Sequence, residues 1–175
     1  MYGPTNEAES HAILNGCREH GITHIDSANI YGMGKSENAI GTYLKANPTA
    51  RQDFVIATKA TITRDPDGNR CFDNSPEHLE AELDKSLQRL GVESVDLFYA
   101  HRRDTRFTPE ETAENLGLLV KKGKTRAIGL SEVSPSTLRR AFKAYPIAAV
   151  QSEYSLSTRA PDLGLVQTCA ELGVA

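Results

Sequence analysis

The sequence contains no tryptophan, only three cysteines and no long apolar run among its 175 residues. The cysteines are odd in number and lie far apart, without the spacing of a metal-ligand set or a redox motif: Cys17, Cys71 and Cys169. They are therefore expected to be free thiols in a reducing compartment. Since residues 1–20 also lack an apolar signal core, the sequence predicts a cytoplasmic protein.

The sequence has no large excess of positive or negative charge, with a formal net charge of only −3. Nothing in this balance favours a nucleic acid or an anionic membrane as a partner. The remaining composition, 39% hydrophobic and 25% charged, is ordinary for a globular protein. A chain of this length is expected to form one domain, over residues 1–175, with a core of its own.

What the sequence does contain is a regular alternation of apolar runs and helical patterns. Short apolar runs bounded by charged or turn residues predict strands at 22–26, 54–58, 95–100, 126–130 and 148–151. Between them, three helical segments begin at the caps Ser75, Thr108 and Ser134. Helical patterns also occur at 6–19, 36–46 and 161–172. The last residues, Gly173-Val174-Ala175, have the pattern of another strand beginning.

Strict alternation of strands and helices predicts a parallel α/β sheet, either doubly wound or closed into a barrel. The turn after the first strand contains "GMGKSE", which lacks the glycine spacing of a dinucleotide-binding or phosphate-binding loop. This absence weakens the doubly wound alternative. It favours a (β/α) barrel, in which the chemistry lies at the carboxyl ends of the strands.

Polar side chains follow each predicted strand in turn: Asp26 and then Tyr31, Lys59, His101, Ser131 with Glu132, and Gln151 with Glu153. Each alone has an ordinary structural explanation, such as a loop cap for Asp26 or a half-buried histidine for His101. In a barrel, however, they would converge on one mouth. There a lysine held by an aspartate would stabilise a phenolate, and a neutral imidazole would orient a carbonyl oxygen. The set thus predicts a tyrosine suited to general acid–base catalysis.

Two shorter motifs could indicate a metal. "DPDGN" at 65–69 superficially resembles a calcium loop but lacks the downstream ligands and the glutamate, so a tight turn is predicted there. "HRRD" at 101–104 would need further His or Asp residues at other strand ends. Only Asp26 is present, beside a lysine that would repel a cation, and no metal site is predicted.

Five segments, in order, resemble motifs of the aldo-keto reductases: "GITHIDSANIYGMGKSENAIG", "FVIATKA", "VDLFYAHRRD", "TRAIGLSEVS" and "AAVQSEYSLSTR". The family's D-T-A-x-x-Y-G motif has its counterpart at residues 26–32, with Ser27 in place of threonine. The resemblance implies a (β/α)8 TIM barrel, here incomplete with about five to six βα units. It also implies reduction of a small carbonyl substrate with NADPH.

By this resemblance the catalytic residues are Tyr31, Lys59, Asp26 and His101. Tyr31 would protonate the substrate carbonyl, Lys59 paired with Asp26 would tune the phenol, and His101 would bind and orient the carbonyl oxygen.

The resemblance also implies which residues bind the cofactor NADPH/NADP: Asp26, Ser131 and Gln151. Ser131 and Gln151 match positions that hydrogen-bond the nicotinamide carboxamide. Glu132 stands where many members of the family have asparagine, so a second carboxamide contact is not expected from this position.

A TIM barrel typically needs about 250 residues, so this chain is expected to be truncated at both ends, short by roughly a third. The family's first strand and hairpin would precede Met1, and its seventh strand would begin at Val174-Ala175. Further cofactor contacts would belong to later segments. Two hypotheses follow: an NADPH-dependent aldehyde or ketone reductase, or a truncated, non-catalytic remnant or interaction protein unable to bind cofactor.

Overall fold

The computed structural model describes residues 5–175, with a five-stranded parallel sheet at its centre. The strands of this sheet are β1 (His24–Asp26), β2 (Val55–Ala60), β5 (Val95–Ala100), β6 (Thr125–Ser131) and β7 (Ala149–Gln151). Each strand pairs in parallel with the next one in that order, and the sheet curls into a half-barrel. The strands are neighbours in the order in which they occur along the chain, without the reversal of a doubly wound sheet. The barrel prediction is therefore confirmed, with five βα units in residues 5–175.

The same residues form six α-helices: α1 (Glu7–Glu19), α2 (Lys35–Ala46), α3 (Pro76–Leu90), α4 (Pro109–Lys121), α5 (Pro135–Ala144) and α6 (Leu165–Leu172). The predicted caps are confirmed, since the side chains of Ser75, Thr108 and Ser134 each accept a backbone N–H of the first turn. Within residues 5–175 no helix combines the length and the apolar character that a bilayer span requires.

The predicted helix at 161–172 is correct only in its second part. The chain first makes a 3-10 turn, Ala160–Leu163, and α6 begins after Gly164. Gly164 has a φ of 123°, a conformation that L-residues rarely adopt, and it interrupts the helix.

An antiparallel hairpin, β3 (Ile62–Arg64) and β4 (Arg70–Phe72), follows β2 and was not predicted. Each strand has three residues that include an arginine, so neither forms the apolar run by which the other strands were recognised. The tight turn predicted at 65–69 is confirmed as the turn of this hairpin, in which the Gly68 N–H donates to the Asp65 carbonyl at 2.9 Å.

The two faces of the parallel sheet have different surroundings. One face packs against the helices through large buried side chains, among them Ile56, Phe98 and Ile128. Side chains alternate along a strand, so the intervening residues point to the opposite face. There they form a smaller cluster: Ala57, Leu97, Tyr99, Ala127 and Ala149. We call the side of the sheet that bears this cluster the concave face.

The last residue of the chain lies beside β7. The Val150 N–H donates to the Ala175 carbonyl at 2.8 Å, and the Ala175 N–H donates to the Ala148 carbonyl at 3.0 Å. These hydrogen bonds are those of a parallel ladder and agree with the strand pattern predicted at Val174-Ala175.

Candidate active site

The predicted site residues that lie on strands share the concave face at the carboxyl ends of those strands. The register aligns Asp26 with Ala57, Lys59 with Tyr99, and Ser131 with Gln151. Residues aligned across parallel strands point to the same side of the sheet, and so do residues two positions apart along one strand. The concave cluster and the polar site are thus successive levels of one surface.

Lys59 and Asp26 form a close ion pair between β2 and β1. Lys59 Nζ donates to both carboxylate oxygens of Asp26, at 2.7 Å and 2.6 Å. The Lys59 side chain is fully buried, whereas the Asp26 carboxylate is 32% exposed. Burying an ammonium is costly unless it is paired and hydrogen-bonded, and the two contacts to Asp26 meet that requirement.

Tyr31 reaches this pair from the loop between β1 and α2. The three residues after it, Gly32, Met33 and Gly34, all have positive φ values, 58°, 55° and 89°, and they turn the chain into α2. The Tyr31 ring centroid lies 5.0 Å from Lys59 Nζ. It also lies 5.9 Å from the His101 ring centroid, with the two rings at 84° in an edge-to-face arrangement. The four predicted catalytic side chains are therefore brought together.

His101 is the first residue after β5 and is only 7% exposed. Burial, reinforced by the positive charges of Lys59 and Arg102, lowers the pKa of His101 to about 4. The imidazole is thus neutral near pH 7. Among the described residues, no side chain or backbone group hydrogen-bonds its buried Nδ1 atom.

Ser131 and Gln151 lie side by side at the ends of β6 and β7. Ser131 is buried, and its hydroxyl oxygen accepts a hydrogen bond from Arg102 Nη1 at 3.3 Å. Since the oxygen acts as an acceptor toward Arg102, its O–H remains available as a donor to another group.

Glu132 follows Ser131 and is hydrogen-bonded to β7 and to the loop after it. Its backbone N–H donates to the Gln151 carbonyl at 2.9 Å, and its Oε1 accepts the N–H of Glu153 at 2.7 Å. Glu132 also has a φ of 54°, which is unfavourable for a residue with a side chain. The carboxylate is therefore engaged with the loop after β7.

Tyr99 belongs to the same surface but was missed by the sequence reasoning. Its ring centroid lies 5.9 Å from Lys59 Nζ, and burial together with the negative charge of Asp26 raises the pKa of Tyr99 to about 12. The ring lies directly over Gly129, where a Cβ atom would come within 2.4 Å of it. The alternation of side chains along a strand could have placed Tyr99 on this face, since it precedes His101 by two residues.

Potential metal ligands do not cluster in the described chain. Within residues 5–175 no group of three or more His, Cys, Asp or Glu side chains could share a metal ion. The three cysteines are free, and each is partly exposed.

Fold and site together define a class of protein: an α/β half-barrel in which a tyrosine, a lysine–aspartate pair and a neutral histidine meet at the carboxyl ends of the strands. The model of the aldo/keto reductase family matches residues 1–175. The chain therefore belongs to the aldo/keto reductase family.

Similar proteins agree with this membership. The chain is 39% identical to "Aldo-keto reductase yakc [NADP(+)]" of Schizosaccharomyces pombe, over 98% of this chain and 51% of that protein. It is 40% identical to "Probable aldo-keto reductase 1" of Glycine max, over 98% of this chain and 49% of that protein. The chain thus spans about half the length of the curated relatives it matches.

Solved structures give the same result for the fold. A thermostable aldo-keto reductase in complex with the inhibitor epalrestat superposes with a TM-score of 0.85 at 29% identity, covering 99% of this chain and 60% of that one. The holo form of aldo-keto reductase AKR11C1 from Bacillus halodurans has a TM-score of 0.84 at 28% identity, covering 98% of this chain and 57% of that one.

Proposed function

We propose that this chain bears the catalytic site of a reductase that converts an aldehyde or ketone into an alcohol with NADPH. The observation that supports this best is the meeting of Tyr31, the Lys59–Asp26 pair and His101 on the concave face. The family membership supports an oxidoreductase, and one relative is named for NADP(+).

In this proposal Tyr31 is the general acid that protonates the carbonyl oxygen. Loss of that proton leaves a phenolate, and the Lys59 ammonium, 5.0 Å from the ring centroid, stabilises the negative charge. Asp26 holds the ammonium through two hydrogen bonds, so that Lys59 stays in place while the tyrosine changes its charge. Proton transfer by a positioned side chain of this kind contributes about 10²–10⁴-fold to a rate.

His101 would bind and orient the carbonyl oxygen of the substrate. A neutral imidazole has one N–H donor and one lone pair. Because Nδ1 is buried without an acceptor, the tautomer with the proton on Nε2 avoids burying an unpaired N–H. His101 then acts as a donor to the carbonyl and leaves the role of acid to Tyr31.

The residues at the ends of β6 and β7 fit the nicotinamide end of NADPH. The Ser131 O–H and the Gln151 amide lie adjacent in the register, and together they offer the donors and the acceptor that a carboxamide requires. Asp26, at the end of β1, is a third proposed cofactor contact, and its side chain is 32% exposed. When bound, NADPH supplies the hydride for the carbonyl carbon.

We also propose that residues 1–175 form one partial barrel domain located in the cytoplasm. The larger hydrophobic cluster extends from Leu14 in α1 to Val174 beside β7, which supports one domain. The three free thiols are compatible with a reducing compartment.

The decisive experiment compares the wild-type chain with Tyr31→Phe, using a generic aldehyde and NADPH. The variant keeps the ring but loses the proton, so turnover should fall by about 10²–10⁴-fold while NADPH affinity stays the same. NADPH affinity is measured by fluorescence titration. Equal turnover by the two proteins would remove Tyr31 from the mechanism.

The alternative, a non-catalytic remnant or interaction protein, makes a different prediction for the same titration. Binding of NADPH by the wild-type chain would exclude it. Absence of binding, with a folded chain by circular dichroism, would favour it over the reductase.

A further inference from the structure

A carboxylate that the proposed chemistry does not use is completely buried at the start of α2. Glu37 has no exposed surface, and it accepts hydrogen bonds from Thr58 Oγ1 at 2.5 Å and from Arg89 Nε at 2.6 Å. A buried carboxylate requires such partners. Thr58 belongs to β2 and Arg89 to α3, so Glu37 joins three elements. We call these three residues the Glu37 cluster.

The Glu37 cluster holds the segment that contains Tyr31. The side chain of Arg89 lies against Gly34, where a Cβ atom would come within 2.8 Å of Arg89 Cδ. The segment is also anchored through Ser36, whose N–H donates to the Tyr31 carbonyl at 3.3 Å and whose Oγ accepts from Ser27 Oγ at 3.0 Å.

The same cluster holds β2 directly beside Lys59. Thr58 and Lys59 are consecutive, so their side chains point to opposite faces of the sheet. Glu37 therefore binds the strand from the helix side, while the Lys59 ammonium projects onto the concave face. The loop is bonded to this strand as well, because the Asn29 N–H donates to the Lys59 carbonyl at 3.0 Å.

We propose that Glu37 is a positioning residue, which sets the location of Tyr31 relative to Lys59 by fixing α2 to β2 and α3. This inference rests on the proposed function, in which Tyr31 transfers the proton and Lys59 stabilises the phenolate. A misplacement of about 1 Å in a reacting group can cost about 10²-fold in rate, so a rigid link between the two elements matters for turnover.

Asp96 provides a matched control at the opposite end of the same sheet. It is largely buried, it accepts the Ile56 N–H of β2 at 2.9 Å, and it pairs with Arg51 at 2.9 Å and with Arg126 at 3.0 Å. Like Glu37, it is a carboxylate that ties β2 to other elements through arginine. Unlike Glu37, it lies at the amino ends of the strands, remote from Tyr31.

The test compares Glu37→Gln with Asp96→Asn in the full chain by two readouts. The first is hydrogen–deuterium exchange of the backbone amides of residues 28–37, which requires no activity. The second is the kcat and KM for an aldehyde together with the Kd for NADPH. Glu37→Gln should accelerate exchange in residues 28–37 and lower kcat by about 10–100-fold, with the Kd unchanged. Asp96→Asn should alter neither the exchange of residues 28–37 nor kcat, although both variants lose stability.

A milder pair keeps the test valid if Glu37→Gln does not fold. Thr58→Ser retains the hydroxyl that donates to Glu37, and Thr58→Val removes it. Thr58→Ser should keep the wild-type exchange and kcat, whereas Thr58→Val should reproduce the Glu37→Gln pattern in weaker form.

Unchanged exchange in residues 28–37, or the same acceleration in Asp96→Asn, would overturn the role of Glu37 as a positioning residue. Unchanged kcat in a variant with accelerated exchange would overturn it too. If the wild-type chain is inactive and Tyr31→Phe changes nothing, the proposed function fails. The exchange measurement then still decides whether Glu37 holds the Tyr31 segment.

Discussion

The two ends of the parallel sheet differ in how the backbone turns. At the carboxyl ends, Met33, Thr61 and Glu132 all have positive φ values despite their side chains, namely 55°, 120° and 54°. At the amino ends of the described strands, the left-handed positions are taken by glycine, for example Gly91 and Gly123. Such a conformation costs a residue with a side chain roughly 1–2 kcal/mol, while glycine adopts it readily. The backbone strain is therefore concentrated at the end that bears the candidate site.

The two ends also differ in how completely their charged and polar groups are paired. At the amino ends, Asp96 is paired with two arginines at once, and Arg18 pairs with Asp53. At the carboxyl ends, the Lys59–Asp26 pair faces two tyrosine rings, and the neighbouring His101 Nδ1 is buried without a partner. Strain and incomplete pairing persist where the surrounding structure enforces them, and they cluster at functional sites. In barrels the amino end serves stability and the carboxyl end serves chemistry.

The largest expected effect comes from removing the ammonium at the carboxyl end. Lys59→Met takes away the charge beside Tyr31 and leaves Asp26 unpaired, so turnover should fall by at least about 10²-fold. Steady-state assays with an aldehyde and NADPH measure this. The control at the amino end is Arg51→Met, which should leave turnover unchanged. A similar loss in both variants would erase the functional difference between the two ends.

A pH effect should come next, and it depends on His101. The pKa of His101 is about 4 in the folded chain, against 6.5 for a free histidine side chain. Between pH 4 and pH 6.5 the unfolded chain therefore binds more protons than the folded chain. The contribution of His101 to stability is complete above pH 6.5 and is lost as the pH falls toward 4. Urea unfolding at about pH 7 and about pH 5 should show a smaller decrease for His101→Gln than for wild type. An equal decrease would argue against a buried neutral imidazole.

A packing change on the concave face should have a moderate effect. Gly129→Ala would place a Cβ atom 2.4 Å from the Tyr99 ring and 2.9 Å from the Ala149 carbonyl oxygen. The free energy of unfolding should fall by about 1–3 kcal/mol, as for other overpacked sites. Gly16→Ala in α1, with no atom within 4 Å of the new Cβ, should instead stabilise the chain. Chemical denaturation separates the two, and a stable Gly129→Ala would contradict the close approach.

The smallest effect tests the strain itself. Met33 is 87% exposed at a φ of 55°, so Met33→Gly relieves strain without removing buried contacts and should stabilise the chain by about 0.5 kcal/mol. Gly91→Ala, at a φ of 66° with open space around it, should destabilise the chain by a similar amount. Thermal unfolding measures both changes in stability. A change in the same direction for both variants would contradict the comparison of the two ends.

Much of the fold could be predicted because its signals are local. The caps Ser75, Thr108 and Ser134 act within four residues, and the strands have runs long enough to be recognised. The hairpin of β3 and β4 was not predicted because its strands contain arginines and form no apolar run. The break at Gly164 was not predicted because a glycine does not reveal its φ in the sequence. The strand-end residues could be predicted because each is the polar residue at the point where an apolar run ends.

The sequence by itself determined the elements, their order and the residue types at each strand end, because these depend on neighbours along the chain. Only the tertiary structure decided which of those residues meet. Lys59 and Asp26 are 33 residues apart, and Glu37 lies 52 residues from Arg89. Such contacts arise when the sheet curls and the helices pack, so they depend on the relative placement of whole elements. The Glu37 cluster and the Tyr99 ring over Gly129 were invisible until that placement was known.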